Sequence, residues 1–443
     1  MPQQQPDGDH RTVPRQPASR ETAARTAGSG ARHCVLLKHG EIFLRGRNRE
    51  HFEARLRDNL RLALRGLEGS VWIRKEPNVT VVGSESDGDG DAVGLDELVE
   101  RVRRVIGFNT VQPAVRVPST EEDIYAAAVA ELSAARDEAH PRITFAVRAR
   151  RRDKNFPVKS SRFSALIGAR VQAELGLPVD LSAPDVELNV EVEKHETYVS
   201  RVRLRGQGGL PVGTSGRALV LLSGGYDSPV AAYRAMRRGL RCDFVHFTGA
   251  PYTNPSSAYK AYALARELNR YQPDGKLHIV PMGAAQKQLA IVGAGRYQVV
   301  AQRRLMVRAA GELARRLHAE TLVTGDNLGQ VASQTLKNLA AVDEASVLPV
   351  LRPLVGWEKQ EIIDEARGIG TADISVLPDE DCCQLLTPEK VTTAARLPDL
   401  ERIERRLEMD EIIEELLDSA QRLTPGADAG PSGLTAPSCA GTA

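Results

Sequence analysis

The stretch LVLLSGGYDSPVAAY, residues 219–233, constrains the fold more than any other part of the chain. The apolar run ending at Leu222 predicts a buried strand, and Ser223-Gly224-Gly225-Tyr226-Asp227-Ser228 predicts a sharp turn. A helix then starts near Pro229, because a missing N–H costs little in the first helical turn. Two glycines let the backbone wrap an anion, and the exposed N–H groups and helix dipole favour phosphate. Neither GxxxxGKS nor GxxxxGKT is present, so this is not the Walker-type loop. Around it, RALVLL, CDFVHF, KLHIVPM and ETLVTG are predicted strands, with helices near 229–238, 256–270, 296–318 and 358–367. Such alternation predicts a parallel sheet with helices on both faces and a ligand at the C-terminal strand ends.

The rest of the chain divides around that unit. At ~150 residues per domain, 443 residues hold about three domains. Residues 1–32 and 423–443 are polar, rich in Gly, Pro and Ser, and are expected to be disordered tails. A first α+β unit is expected over 33–94, where strand CVLLK and an apolar helical repeat (Phe52, Leu56, Leu60, Leu64, Leu67) precede strands SVWIRK and VTVVG. A second is expected over 95–205, with a helix through Leu98 and Val102, strand VQPAVRV, a helix through Ile124, Ala128 and Leu132, strand RITFAVRARR, helix SSRFSALIGARVQAEL and a hairpin at His195-Glu196. A Gly/Pro linker fills 206–216, the strand–helix unit spans 217–422, and LPDLERIERRLEMDEIIEELL is predicted as its last helix.

Composition excludes several classes. A formal net charge of +1 rules out a global cationic field, so any nucleic-acid surface must be a local patch. Five cysteines without a CxxC pair form neither a disulfide framework nor a zinc ribbon, and fit a reducing, cytoplasmic setting. No apolar run reaches the ~18 residues of a membrane span. Cys242, within a predicted strand, reads as packing, and Cys439 as an incidental thiol in the tail.

The turn SGG-x-DS resembles the PP-loop of ATP pyrophosphatases, which split ATP into AMP and pyrophosphate. LKHGEIFLRGRNREHFE (37–53), SGGYDSPVAAYRAMRRG (223–239), TGDNLGQVASQTLKNL (324–339) and ISVLPDEDCCQLLTP (374–388) together resemble the tRNA 4-thiouridine synthase family, also called tRNA sulfurtransferase or ThiI. The resemblance implies an N-terminal ferredoxin-like α+β domain, a THUMP RNA-binding α+β domain and a doubly wound PP-loop α/β domain. It implies ATP-dependent conversion of the uridine at position eight of tRNA to 4-thiouridine, with Mg2+, and with sulfur carried as a cysteine persulfide. It also links the chain to sulfur supply for the thiamine thiazole through a sulfur-carrier protein, and allows a homodimer. The rhodanese domain of some members has no counterpart after the last predicted helix, so a cysteine desulfurase is expected to hand persulfide directly to this chain.

Residue by residue, the resemblance assigns ATP contacts to Leu221, Leu222, Ser223, Gly224, Gly225, Ser228, His246, Phe247, Arg303, Gly325 and Gln334. Asp227 is expected to partner Mg2+ held by the phosphates. Lys359 is expected beside the adenylate, where its cation offsets developing negative charge. Cys382 aligns with the persulfide-bearing cysteine and Cys383 adjoins it; Asp379, Glu380 and Asp381 would raise the thiol pKa, with compensation expected from Lys359, Mg2+ or RNA. Asp326 stands where relatives often carry Glu.

Residues 145–162 hold five arginines and two lysines against one aspartate. Arg148, Arg150, Arg151, Arg152, Lys154, Lys159 and Arg162 are candidate tRNA phosphate contacts, with Phe156 free to stack or to pack. Two rival readings remain: a catalytically inactive tRNA-binding module, and another PP-loop adenylating ligase.

Overall fold

The computed structural model describes residues 32–44, 46–67, 70–76, 78–85, 94–138, 142–379, 386 and 388–426. Nearly all of both expected tails, and Cys382 and Cys383, lie outside the described residues. The chain forms two compact units: Val115–Val199 is one, and His33–Ala114 together with the chain from Ser200 onward is the other.

The larger unit opens with β1 (Arg32–His39), α1 (Arg49–Ala63), β2 (Ser70–Glu76), β3 (Val79–Glu85), α2 (Leu95–Val102) and the first half of β4 (Phe108–Pro118). Strands run β2-β3-β1-β4, with β2–β3 and β3–β1 antiparallel. Phe52, Leu56 and Leu60, spaced by four on one face of α1, bury against Val35, Leu37 and Val82. Leu98 and Val102 of α2 join the same core. The helix expected to open the second domain therefore packs with the first, because its apolar stripe has a partner there.

The smaller unit holds the end of β4, α3 (Glu121–Glu138), β5 (Phe145–Arg151), α4 (Ser160–Leu175), β6 (Val186–Val192) and β7 (Glu196–Ser200). β6 and β7 are neighbours, as the hairpin pattern predicts, and β5 pairs with β6 in parallel. Ile124, Ala128 and Leu132 of α3 and Phe163, Ile167 and Val171 of α4 cover one sheet face.

The chain then passes β8 (Leu204–Arg205) into the phosphate-loop region: β9 (Arg217–Leu221), α5 (Asp227–Arg237), β10 (Arg241–Thr248), α6 (Ser256–Leu268), β11 (Leu277–Pro281), α7 (Gly283–Ile291), α8 (Gln298–Arg316) and β12 (Thr321–Val323). It ends with α9 (Leu336–Asp343), β13 (Val350–Leu351), α10 (Lys359–Gly368), α11 (Ala372–Ser375), α12 (Leu397–Glu404), α13 (Met409–Asp418) and β14 (Gln421–Leu423). Strand order is β13-β12-β9-β10-β11-β14, all parallel except β14. Side chains alternate across β9: Ala218, Val220 and Leu222 face the core under α5, α6 and α10, while Leu219 faces α8. After β11 the chain returns to the other side of β9, so the strand order reverses between β9 and β12. Open α/β sheets bind ligands at that reversal, beyond the C-terminal strand ends.

Two expectations change. The last predicted helix is two, α12 and α13, because Glu404 turns inward to the fully buried Arg304, with Nε 2.5 Å from Oε1. Leu423, expected in the tail, instead pairs with Leu277 at the sheet edge. Among the described residues no helix is long and apolar enough to cross a membrane.

Candidate active site

The turn after β9 is closed by its two serines. The Ser223 N–H donates to Ser228 Oγ at 2.8 Å, and the Ser228 hydroxyl lies 3.2 Å from the Ser223 carbonyl. No side-chain cap occupies the N-terminus of α5, so its amides remain available to an anion. The two glycines have different reasons to be glycine. A Cβ on Gly224 would collide with Asp379 Oδ2, whereas on Gly225 its nearest neighbour would be Ser223 Oγ at 3.8 Å. Gly225 therefore borders open space, the cradle a phosphate needs. Across the strand reversal, a Cβ on Gly325 would meet the Ser228 nitrogen at 2.6 Å, so β12 can approach the first turn of α5 only with glycine there.

His246 and Phe247 lie at the end of β10, both buried. His246 Nδ1 donates to the Leu222 carbonyl at 2.8 Å, and the Leu222 N–H donates to the Val245 carbonyl. That histidine bond fixes the ring and leaves Nε2 as the acceptor nitrogen of the neutral tautomer. Both backbone groups of Leu222 are thus already engaged, and its carbonyl keeps one lone pair. Leu221, beside it, is half-buried.

Asp326 is the hub the sequence did not reveal. It is buried, and its carboxylate accepts from Arg303 NH2, Thr324 Oγ1 (2.8 Å), Arg352 Nε (3.1 Å) and Gln334 Nε2 (3.4 Å). Burial alone would push its pKa up. Arg303, the Thr324 hydroxyl and Arg352 outweigh burial and hold it below the ordinary aspartate value. Arg303 and Gln334, two expected ATP contacts from distant segments, are therefore oriented by one carboxylate.

Lys359 begins α10, and its Nζ is 3.0 Å from both carboxylate oxygens of Asp227 and 5.5 Å from the Tyr226 ring centroid. Gln330 Nε2 donates to the same carboxylate at 3.2 Å. Of the acidic run before the cysteine pair, only Asp379 lies among the described residues, and among these Lys359 is not its ion-pair partner. Lys260 is: this buried α6 lysine donates to the Leu377 carbonyl at 2.6 Å and lies 3.2 Å from Asp379 Oδ1. Only its position in the fold distinguishes Lys260 from a surface lysine. Ser375 Oγ also donates to the Gly225 carbonyl at 3.3 Å, so residues 375–379 are fastened at one end to the phosphate loop and at the other to α6. Cys242 is buried, and burial pushes its thiol pKa up, as expected of a packing cysteine.

Within the smaller unit, the basic run is less free than its composition suggests. β6 aligns carboxylates beside β5, with Arg150 opposite Glu191 in the register. Arg148 pairs with Glu187 at 3.3 Å, and Arg152 with Glu191 and Glu193 at 3.4 and 3.0 Å. Arg151 donates to the Phe156 carbonyl at 2.6 Å. Arg150, Lys154, Lys159 and Arg162 are exposed. Phe156 packs on Phe163, with centroids 5.0 Å apart.

Comparison with known proteins agrees with this layout. The ThiI ferredoxin-like domain matches residues 34–111, the THUMP domain 118–202, and the thiamine biosynthesis protein (ThiI) family 213–409. The chain is 59% identical to a probable tRNA sulfurtransferase of Nocardia farcinica, covering 89% of this chain and 94% of that one. It is 36% identical to that of Geobacillus kaustophilus, over 88% and 95%. A crystal structure of a 4-thiouridine synthetase–RNA complex with bound ATP superposes with a TM-score of 0.80 at 30% identity, covering 88% of this chain and 99% of that one. With its three matched domains in this order, and relatives aligned over nearly their whole length, the chain belongs to the tRNA sulfurtransferase family.

Proposed function

We infer that this tRNA sulfurtransferase divides the work of ATP-dependent sulfur transfer among four segments that meet at the sheet reversal. One observation carries the reading: Ser223–Ser228, Gly325–Gln334, Lys359 and Ser375–Asp379 are far apart in sequence, yet hydrogen bonds and an ion pair join them at one end of a parallel sheet. ATP supplies the adenylate that makes the uridine O4 a leaving group. The Gly225 side of the loop and the amides of α5 suit its phosphates, and His246 and Phe247 stand at the adenosine side. Arg303 and Gln334, held by Asp326, are placed to orient the phosphates.

Among the described residues no group of three or more His, Cys, Asp or Glu side chains is arranged to hold a metal. Mg2+ would be held by the phosphates, with Asp227 the carboxylate available to it. Lys359 is then free to turn its ammonium toward the charge that develops on the reacting oxygens. Asp379 precedes Cys382 by three residues in the sequence. Cys382 is the candidate whose persulfide sulfur would displace AMP from the activated uridine. The transferred sulfur then stays bonded to Cys382 Sγ until a second thiol, with Cys383 as the candidate, attacks that Sγ, releasing 4-thiouridine and leaving a disulfide. Sulfur is expected from a cysteine desulfurase, and the setting is cytoplasmic.

The test is mass spectrometry of tRNA nucleosides after incubation with ATP, Mg2+, cysteine and a desulfurase. The wild type should make 4-thiouridine. Cys382→Ser should still release pyrophosphate when tRNA is present, yet make no 4-thiouridine. Full thiolation by that variant removes Cys382 from the chemistry, and a wild type that never releases pyrophosphate overturns the whole reading.

A further inference from the structure

A cavity of about 550 Å³ opens in the larger unit beside the C-terminal end of α5. That volume falls within the range of small-ligand sites. Arg234, Arg237 and Arg238 approach it from one helical face, being spaced by three and four. Arg352 and Trp357 also line it.

Three of these arginines are held in place. Arg234 pairs with Glu365 at 2.5 Å and lies over Trp357, 4.3 Å from the ring centroid. Arg238 pairs with Glu41 at 3.1 Å, and Arg352 with Asp343 at 2.5 Å. Arg237 has no carboxylate partner among the described residues; it rests near the Tyr233 ring, and its buried Nε lacks a hydrogen-bond partner. The cavity therefore combines a fixed aromatic–guanidinium stack with one uncompensated cation.

The cavity also adjoins the reaction site. Trp357 is two residues before Lys359, its carbonyl accepts from Asn327, and Arg352 bonds Asp326, the hub that orients Arg303. An RNA that presents one unpaired uridine to the phosphate loop must place the neighbouring nucleotide close by. Unpaired bases are recognised by stacking on aromatic rings and guanidinium planes, and their phosphates by arginine.

We propose that this cavity is a nucleotide subsite for substrate RNA, in which Trp357 and Arg234 receive an unpaired base flanking the reacting uridine and Arg237 binds its phosphate. The proposal rests on the tRNA-sulfurtransferase reading. The chain has two tryptophans, Trp72 and Trp357, so a Trp72→Phe variant leaves Trp357 as the only indole reporter. In that variant tRNA should quench the emission, while inorganic phosphate and AMP at the same concentration should not.

With the full-length enzyme, Arg237→Glu should lower kcat/KM for tRNA at least tenfold while KM for ATP stays within twofold. Trp357→Ala should do the same, and Trp357→Phe should recover most of the loss. The unchanged ATP KM shows that the variants are folded. Equal quenching by phosphate alone, or variants that keep wild-type kinetics toward tRNA, would overturn the subsite. If the unaltered enzyme thiolates no tRNA, the parent reading fails, and the quenching contrast alone then decides whether the cavity binds RNA.

Discussion

At the scale of single residues, Asp326 shows what the sequence conceals. An aspartate after a strand carries no mark of its partners. Its role comes from Arg303 on α8, Gln334 in the loop after β12 and Arg352 after β13, all converging on one buried carboxylate. Removing one partner of a buried ion pair leaves charge uncompensated, so Asp326→Ala should cost about 3 kcal/mol and raise KM for ATP. The pH dependence has a definite sign. The folded pKa lies below the ordinary 3.8, so the carboxylate's contribution is complete above that value and is lost as the pH falls through the depressed one. The difference in melting temperature between wild type and Asp326→Asn should therefore stay constant from neutral pH down to about 4 and shrink only in stronger acid. Lys260 was hidden for the same reason: its carbonyl and carboxylate partners are more than a hundred residues away in the chain. Asp227 stood out because it lies inside a glycine-rich phosphate turn, whereas Lys359 and the cysteine pair were legible only through the resemblance to a known family.

The elements were the most legible level. The glycine-rich turn, the alternation of strand and helix, and the apolar spacing of α1, α3 and α4 each express local geometry. The elements that escaped are short or dictated by tertiary packing: β13 has two residues and β14 three, and the α12–α13 break follows Glu404. The paired glycines allow a clean dissection. Gly224→Ala should destabilise the fold by roughly 1–3 kcal/mol, the usual range for overpacking, because its Cβ meets Asp379. Gly225→Ala should melt like the wild type yet bind ATP far more weakly, since its Cβ points into open space. Calorimetry of unfolding and of ATP binding separates the two, and equal melting losses in both would show that the cradle is misplaced.

At the scale of the whole molecule, charge counted along the chain leaves out the glutamates that the parallel β6 brings alongside β5. Reversing Arg150, Lys154, Lys159 and Arg162 together should weaken tRNA binding and flatten its salt dependence, by roughly 0.7–0.9 in log K per log salt for each phosphate no longer neutralised. Reversing Arg148 and Arg152 should instead lower the melting temperature, as Glu187, Glu191 and Glu193 are left facing like charges. Filter binding across a salt series, set beside thermal melts, distinguishes the two pairs of outcomes. The residues that begin and end the smaller unit, Val115 and Val199, face each other across the β4–β7 ladder. The polypeptide thus departs into that module and comes back through a doorway roughly 5 Å wide. A few glycines could bridge such a gap, which makes the module a cassette: it can be cut out, or traded for the counterpart from a relative, to learn which part of the enzyme chooses the RNA.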